Sequence, residues 1–187
     1  MTTTTPAIEE FNGVPVAKLR GTIAKLTDNP ELAEFRFTAR NTWIEGTGTR
    51  STIHEWFGVG GDHLHVQEFA FGADHPTLGH GHGPTPQEYV LHALAACIVA
   101  GVATTAANRG VELTSIETVV QGTIDVRGVL GIDGDVRNGY QSIDVEIDID
   151  GDGTAQELEA LIQASCKRSA VFDMLANPTL VRVGRKA

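Results

Sequence analysis

Basic residues are scarce: 14 Lys and Arg stand against 24 Asp and Glu, a formal charge of −10 with histidine neutral. Phosphate recognition needs clustered Lys and Arg, and an anionic bilayer needs a basic face, so neither nucleic acid nor membrane is an expected partner. Cysteine is scarcer still. Cys97 and Cys166 are the two in the chain, too few for a disulfide scaffold, and a reducing cytoplasm is the expected compartment. The opening Met1-Thr-Thr-Thr-Thr-Pro6 has neither a positive nor an apolar region, so no secretory leader is expected. Aromatics make up 6% of the residues, which leaves little bulk for a thick monomeric core.

What is present reads as one domain of 187 residues, 41% of them hydrophobic, long enough to bury a real core. Residues 1–13 read as loose. Val16, Leu19, Ile23 and Leu26 recur at helical spacing and predict a short amphipathic helix ending before Asp28-Asn29-Pro30. From Glu34 the period changes to two, with Phe35, Phe37 and Ala39 on one side. Strands around Arg50–Phe57 and His63–Phe71 follow, an antiparallel meander. Thr85, Pro86 and Glu88 open a long helix by capping box and first-turn proline, and Gly110 closes it. Strands near 114–127 and 140–149 come next, the second alternating Ile143, Val145, Ile147, Ile149 with acidic residues. Thr154 and Glu157 cap a second helix through Cys166. A short helical piece and a strand over Leu180–Val183 end the chain. Strands grouped about two helices make the fold class α+β.

The long helix holds Tyr89–Ala107, 19 residues without a formal charge. That length reaches a membrane span, but Ala, Gly and Thr dominate it, His92 interrupts it, and no basic flank orients it. It reads instead as the buried centre of a globular fold. Cys97 lies near its middle, among small residues (Ala93, Ala96, Ala100, Ala103, Ala107) that permit close packing. Cys166 ends the other helix, followed by Lys167 and Arg168, cations that lower a thiol pKa. Spacing alone leaves two readings open: a paired redox thiol, or two small buried hydrophobes.

Two metal readings arise. Asp148, Asp150, Asp152, Gly153 and Glu159 fit a calcium-loop spacing, yet the residues before them alternate as a strand, and Ala155 stands where an apolar anchor is usual. A strand end and turn before a capped helix explains the same letters. His75, His80 and His82 sit in a Gly-rich loop that reads as solvated and flexible, or as a lid over the Cys97 helix. No metal is expected.

The run Gly83-Pro-Thr-Pro-Gln-Glu-Tyr-Val-Leu-His-Ala-Leu-Ala-Ala-Cys97, with Ala164-Ser-Cys166 on a later helix, resembles the OsmC/Ohr superfamily, most of all its Gly-Pro-Thr-Pro-x-Glu branch. The resemblance covers roughly residues 34–184 and implies that residues 1–33 are a partly helical N-terminal extension. It implies one OsmC-like domain over 34–187, with antiparallel sheets wrapped around two central helices in an intertwined homodimer. It further implies thiol-dependent reduction of organic hydroperoxides, with Cys97 peroxidatic, Cys166 resolving, a dithiol as reductant and no other cofactor. Glu88 matches the acid of that branch. Branches with defined peroxidase chemistry place the acid one position earlier, where this chain has Gln87. They also use an Arg near the first hairpin, for which Arg40 and Arg50 are nearest, and commonly carry Pro where Lys167 stands. Two other classes follow from the same letters: a relative that binds a small apolar ligand at the dimer interface without turnover, and a calcium-binding protein.

Overall fold

The computed structural model describes residues 10–185. In chain order its strands and helices are β1 (Glu10–Phe11), β2 (Val14–Pro15), α1 (Val16–Asp28), β3 (Arg36–Phe37), β4 (Arg40–Glu45), β5 (Gly48–Gly58), β6 (Gly61–Ala73), α2 (Pro86–Arg109), β7 (Leu113–Thr123), α3 (Val126–Val129), β8 (Ser142–Gly151), α4 (Ala155–Arg168) and α5 (Ala170–Ala176). They fall into two compact units, residues 15–90 and residues 10–14 with 91–185.

In the first unit, α1 occupies the span that its apolar spacing predicts. It stops at Asn29, whose main-chain and side-chain N–H groups both donate to the Lys25 carbonyl, and Pro30 then opens a 3-10 turn over Pro30–Ala33. β5 is the centre of a four-stranded antiparallel sheet, with β6 on one edge and the short β3 and β4 in succession along the other. The expected first strand is therefore broken at Thr38–Ala39. The β5–β6 hairpin turns through Val59 and Gly60 at φ of 52° and 81°, the left-handed pair that a two-residue hairpin requires. Between Ile53↔Phe69 and Glu55↔Leu64 the register slips, and residues 65–68 bulge away from His54 with Val66 fully exposed.

The loop after β6 is not the flexible connection that its glycines suggest. Asp74 is buried, and its carboxylate accepts from the Thr47 hydroxyl (2.7 Å) and from the N–H groups of His75 (2.7 Å), His80 (3.0 Å) and His82 (3.2 Å). The Asp74 N–H in turn donates to the Pro84 carbonyl. The Thr47 hydroxyl and these amides outweigh the cost of burial and hold the carboxyl well below the usual carboxylate range. Gly79 has no room for a side chain, because a Cβ there would strike that carboxylate and the Thr47 hydroxyl.

In the second unit, β7 and β8 form an antiparallel ribbon. Its inner face sets Ile116, Val120, Ile143, Val145, Ile147 and Ile149 against a core of Leu94, Ile98, Val102 and Ala106 from α2 and Leu158 and Leu161 from α4. Its outer face carries the acids. The period-two pattern of β8 thus sorts as read. Gly110, at φ 72°, ends α2, and the Thr154–Glu157 capping box opens α4 with both reciprocal bonds formed.

Three other expectations fail here. β7 stops at Thr123 rather than near 127, because Asp125 caps a helical turn by accepting from the Arg127 N–H. Over Leu180–Val183 no strand forms among the described residues, and Leu180, Val181 and Val183 stand exposed, since alternation alone supplies no neighbouring edge. Residues 10–13 are not loose: the Asn12 amide donates to the Val111 carbonyl (2.9 Å) and accepts from the Leu113 N–H (3.0 Å). The rest of that segment, 1–9, lies outside the described residues.

Candidate active site

Cys97 owes its setting to the contact between α2 and α4. Ser165 is buried, and its hydroxyl donates to the Ile98 carbonyl at 2.7 Å. Gly101 faces the same serine so closely that a Cβ would overlap its Oγ. Small residues on both helices, Gly101 and Ser165, therefore set the approach, whereas Ala96 and Ala100 of the Ala-rich run are exposed. Cys97 lies one turn before Gly101 and Ser169 one turn after Ser165, so a second pair meets along the same seam of antiparallel helices. There the Ser169 hydroxyl donates to Cys97 Sγ at 3.1 Å.

Ser169 also opens α5, its Oγ accepting from the Phe172 N–H at 3.1 Å. Both cysteines border this corner, for the Ser169 N–H donates to the Cys166 carbonyl at 3.3 Å. The two thiols nevertheless have opposite electrostatics. Burial pushes the Cys97 thiol up, but the Ser169 hydroxyl and the N–H groups of Val171 and Ala170 outweigh it, and the net shift is below the ordinary thiol value. Burial pushes Cys166 up as well. Its own backbone opposes that, the Glu159 carboxylate adds to it, and the net shift is upward. The expectation that Lys167 and Arg168 lower the Cys166 pKa fails, because both cations sit on exposed faces of α4 and the charge that reaches the thiol is negative. Both cysteines are free and half-buried.

Four further candidates, Glu88, Gln87, Arg40 and Arg50, are described within the first unit. Glu88 closes a capping box at the start of α2: its Oε2 accepts from the Thr85 N–H and hydroxyl at 2.7 and 2.9 Å, and these bonds lower its pKa. Gln87 is half-buried in the same turn. Arg40 pairs with Glu55 at 2.6 Å on the exposed sheet. Arg50 helps line a cavity of about 410 Å³ with Phe71, Asp74, His80 and His82. These residues belong to the first unit, Cys97 and Cys166 to the second.

Among the described residues no three His, Cys, Asp or Glu side chains gather as metal ligands. The calcium-type spacing is not a loop: Asp148 and Asp150 lie on β8, the Asp152 carboxylate accepts from the Glu112 N–H, and Glu159, on α4, bonds Gln163. The rings of His80 and His82 stack at 5.6 Å between centroids.

Sequence reading missed Ser169. The signal for it was available: a serine three residues after Cys166, directly before a short helical stretch, is a helix N-cap, and that corner is where the Cys97 side chain arrives.

The sequence profile of OsmC-like proteins matches residues 79–184, more than half of the chain, spanning His80, His82, both cysteines and Ser169. The chain belongs to the OsmC-like protein family. Its α+β fold with antiparallel sheets agrees. An OsmC-like protein of Mycoplasma pneumoniae superimposes with a TM-score of 0.59 over 76% of this chain and 89% of that one, at 17% identity. An OsmC-like protein of unknown function from Vibrio cholerae gives 0.54 over 74% and 92%, at 14% identity. At such identities the likeness is one of OsmC-like fold. No curated protein matches the sequence.

Proposed function

We propose that this OsmC-like protein reduces organic hydroperoxides, with Cys97 as attacking thiolate, Cys166 as resolving thiol and a dithiol as the electron source. The observation that supports this reading most is the asymmetry of the pair. Hydrogen bonds from Ser169, Val171 and Ala170 shift one thiol below its ordinary pKa, burial shifts the other above it, and both residues adjoin one helix corner. The Cys97 thiolate attacks the terminal oxygen of R–O–OH. The S–O bond forms, the O–O bond breaks with its electrons on RO⁻, and a proton completes the alcohol. The resulting sulfenic acid condenses with the Cys166 thiol to a disulfide and water, and an external dithiol restores both thiols by exchange. No cofactor takes part. The apolar side chains around α2 suit an alkyl group. Free thiols suit a reducing compartment, and we assign the protein to the cytoplasm.

One equivalent of a bulky alkyl hydroperoxide is expected to remove two free thiols per chain and produce an intramolecular disulfide, seen as a loss of two mass units by intact-mass spectrometry. A thiol count unchanged after that addition sinks the proposal.

The working unit is a homodimer. α2 is long and apolar enough to cross a membrane, yet within the chain most of its residues are half-buried or exposed rather than buried. Phe172, Met174 and Leu175 of α5 are exposed as well. Apolar surface on this scale calls for a covering partner, and a second copy offers a matching face. Sedimentation at micromolar concentration is expected to give twice the chain mass of 19.9 kDa, and a compact monomer refutes the dimer.

A further inference from the structure

We infer that Ser169 is itself a catalytic residue, its hydroxyl being the donor that keeps the Cys97 sulfur available for attack. The inference rests on Cys97 being the nucleophile and adds a second member to its machinery.

The argument begins with what a buried hydroxyl must do. Ser169 is 5% exposed, so water does not serve its polar atoms, and a buried donor without an acceptor is costly. A serine hydroxyl has one proton and two lone pairs. One lone pair already accepts from the Phe172 N–H at 3.1 Å, which uses acceptor capacity and leaves the proton to be placed. The acceptor within reach is Cys97 Sγ, at 3.1 Å, a short approach for a sulfur. The proton therefore points at the sulfur.

That direction has a chemical consequence. A neutral thiol accepts a hydrogen bond weakly, whereas a thiolate accepts strongly. A hydroxyl held in this orientation stabilises the ionised form over the protonated one, which is the direction in which the thiol is shifted. The orientation is held from several sides: by the Phe172 N–H, by the bond from the Ser169 N–H to the Cys166 carbonyl at 3.3 Å, and by the neighbouring Ser165–Ile98 bond at 2.7 Å, which fixes one helix against the other. The donor is thus set before the peroxide arrives, and nothing need reorganise to receive the charge.

The same oxygen also caps α5, so the test has to separate capping from donation. Alkylation of Cys97 by iodoacetamide in the full chain, followed peptide by peptide by mass spectrometry across a pH series, reports the thiolate fraction without requiring any peroxide chemistry. In Ser169→Ala, alkylation of Cys97 at pH 7 is expected to slow by about tenfold, the scale of one hydrogen bond to a charged acceptor, with its midpoint moved to higher pH. Ser169→Gly keeps a tolerated N-cap but has no hydroxyl, and is expected to slow alike. Ser169→Thr restores the hydroxyl and the parental profile. Circular-dichroism melts of each variant show that folding is retained. If Ser169→Gly alkylates like the parent, or Ser169→Thr fails to rescue, Ser169 is only a cap and the inference is overturned. If the alkylation order holds while no variant and no parent consumes hydroperoxide, the donor role stands and the peroxidase reading falls, so the two failures are distinguishable.

Discussion

Cys97→Ser is expected to abolish hydroperoxide consumption, with turnover lower by on the order of a thousandfold or more, the scale seen when an enzyme loses its nucleophile. A serine oxygen in the same place is protonated at neutral pH, and the hydrogen bonds that lower the thiol pKa fall far short of ionising an alcohol. Cys166→Ser is expected to fail differently. The first equivalent of peroxide reacts, one thiol per chain is lost, and the sulfenic acid that remains is captured by a sulfenate-specific carbon nucleophile. A coupled assay with a dithiol as reductant, run beside stoichiometric titration of the three proteins, reads both. Activity that survives in Cys97→Ser moves the nucleophile to another group. Full turnover in Cys166→Ser means that an external thiol resolves the intermediate and removes Cys166 from the cycle.

Gly101→Val is expected to destabilise the fold more than any exposed substitution, by about 3 kcal/mol, from overpacking together with the loss of a buried hydrogen bond. A single carbon at Gly101 already overlaps Ser165 Oγ and comes within 3.2 Å of its Cβ. The serine has nowhere to go, since it is 2% exposed and its hydroxyl serves the Ile98 carbonyl. Valine adds two branches to that overlap and forces the helices apart. Denaturant melts give the loss in stability. Cys97 alkylation on the same protein is expected to fall as well, because Cys97 and Ser169 lie one turn further along the same seam. Gly101→Ala is expected to show a smaller loss, part of which Ser165→Ala recovers, as coupled neighbours do in a double-mutant cycle. A Gly101→Val protein that melts with the parent refutes close packing through this seam.

Much of this architecture was legible from letters that act locally. Thr85, Glu88 and Gly110 bound α2 because caps depend on neighbours within one turn. The alternation from Ile143 to Asp150 fixed which side of β8 faces the core, because strand side chains alternate whatever the partner. The misreadings involve partners distant in sequence. The glycines of the loop after β6 suggested freedom, but order there comes from Asp74, whose carboxylate gathers amides up to eight residues away together with Thr47. Lys167 and Arg168 stand beside Cys166 in sequence, yet adjacent helical positions point in different directions, and Glu159, two turns earlier, is the charge that reaches the thiol. The site was half visible: two cysteines on two helices could be read directly, whereas the hydroxyl that reaches Cys97 depends on a helix corner that no periodicity marks.

The outward face of the β7–β8 ribbon sets like charge against like. Glu117 lies directly opposite Asp148, with Glu146, Asp144 and Asp150 along the same face and no salt bridge to any of them among the described residues. Such pairs repel, and the repulsion is strongest in dilute buffer, where mobile ions shield it least; the screening distance falls from roughly 30 Å at 0.01 M ionic strength to roughly 3 Å at 1 M. Ionic strength therefore acts on this ribbon in the sense opposite to its action on an ion-paired surface. Added salt firms it, and dilution strains the sheet whose inner face supports the helices that carry Cys97 and Cys166.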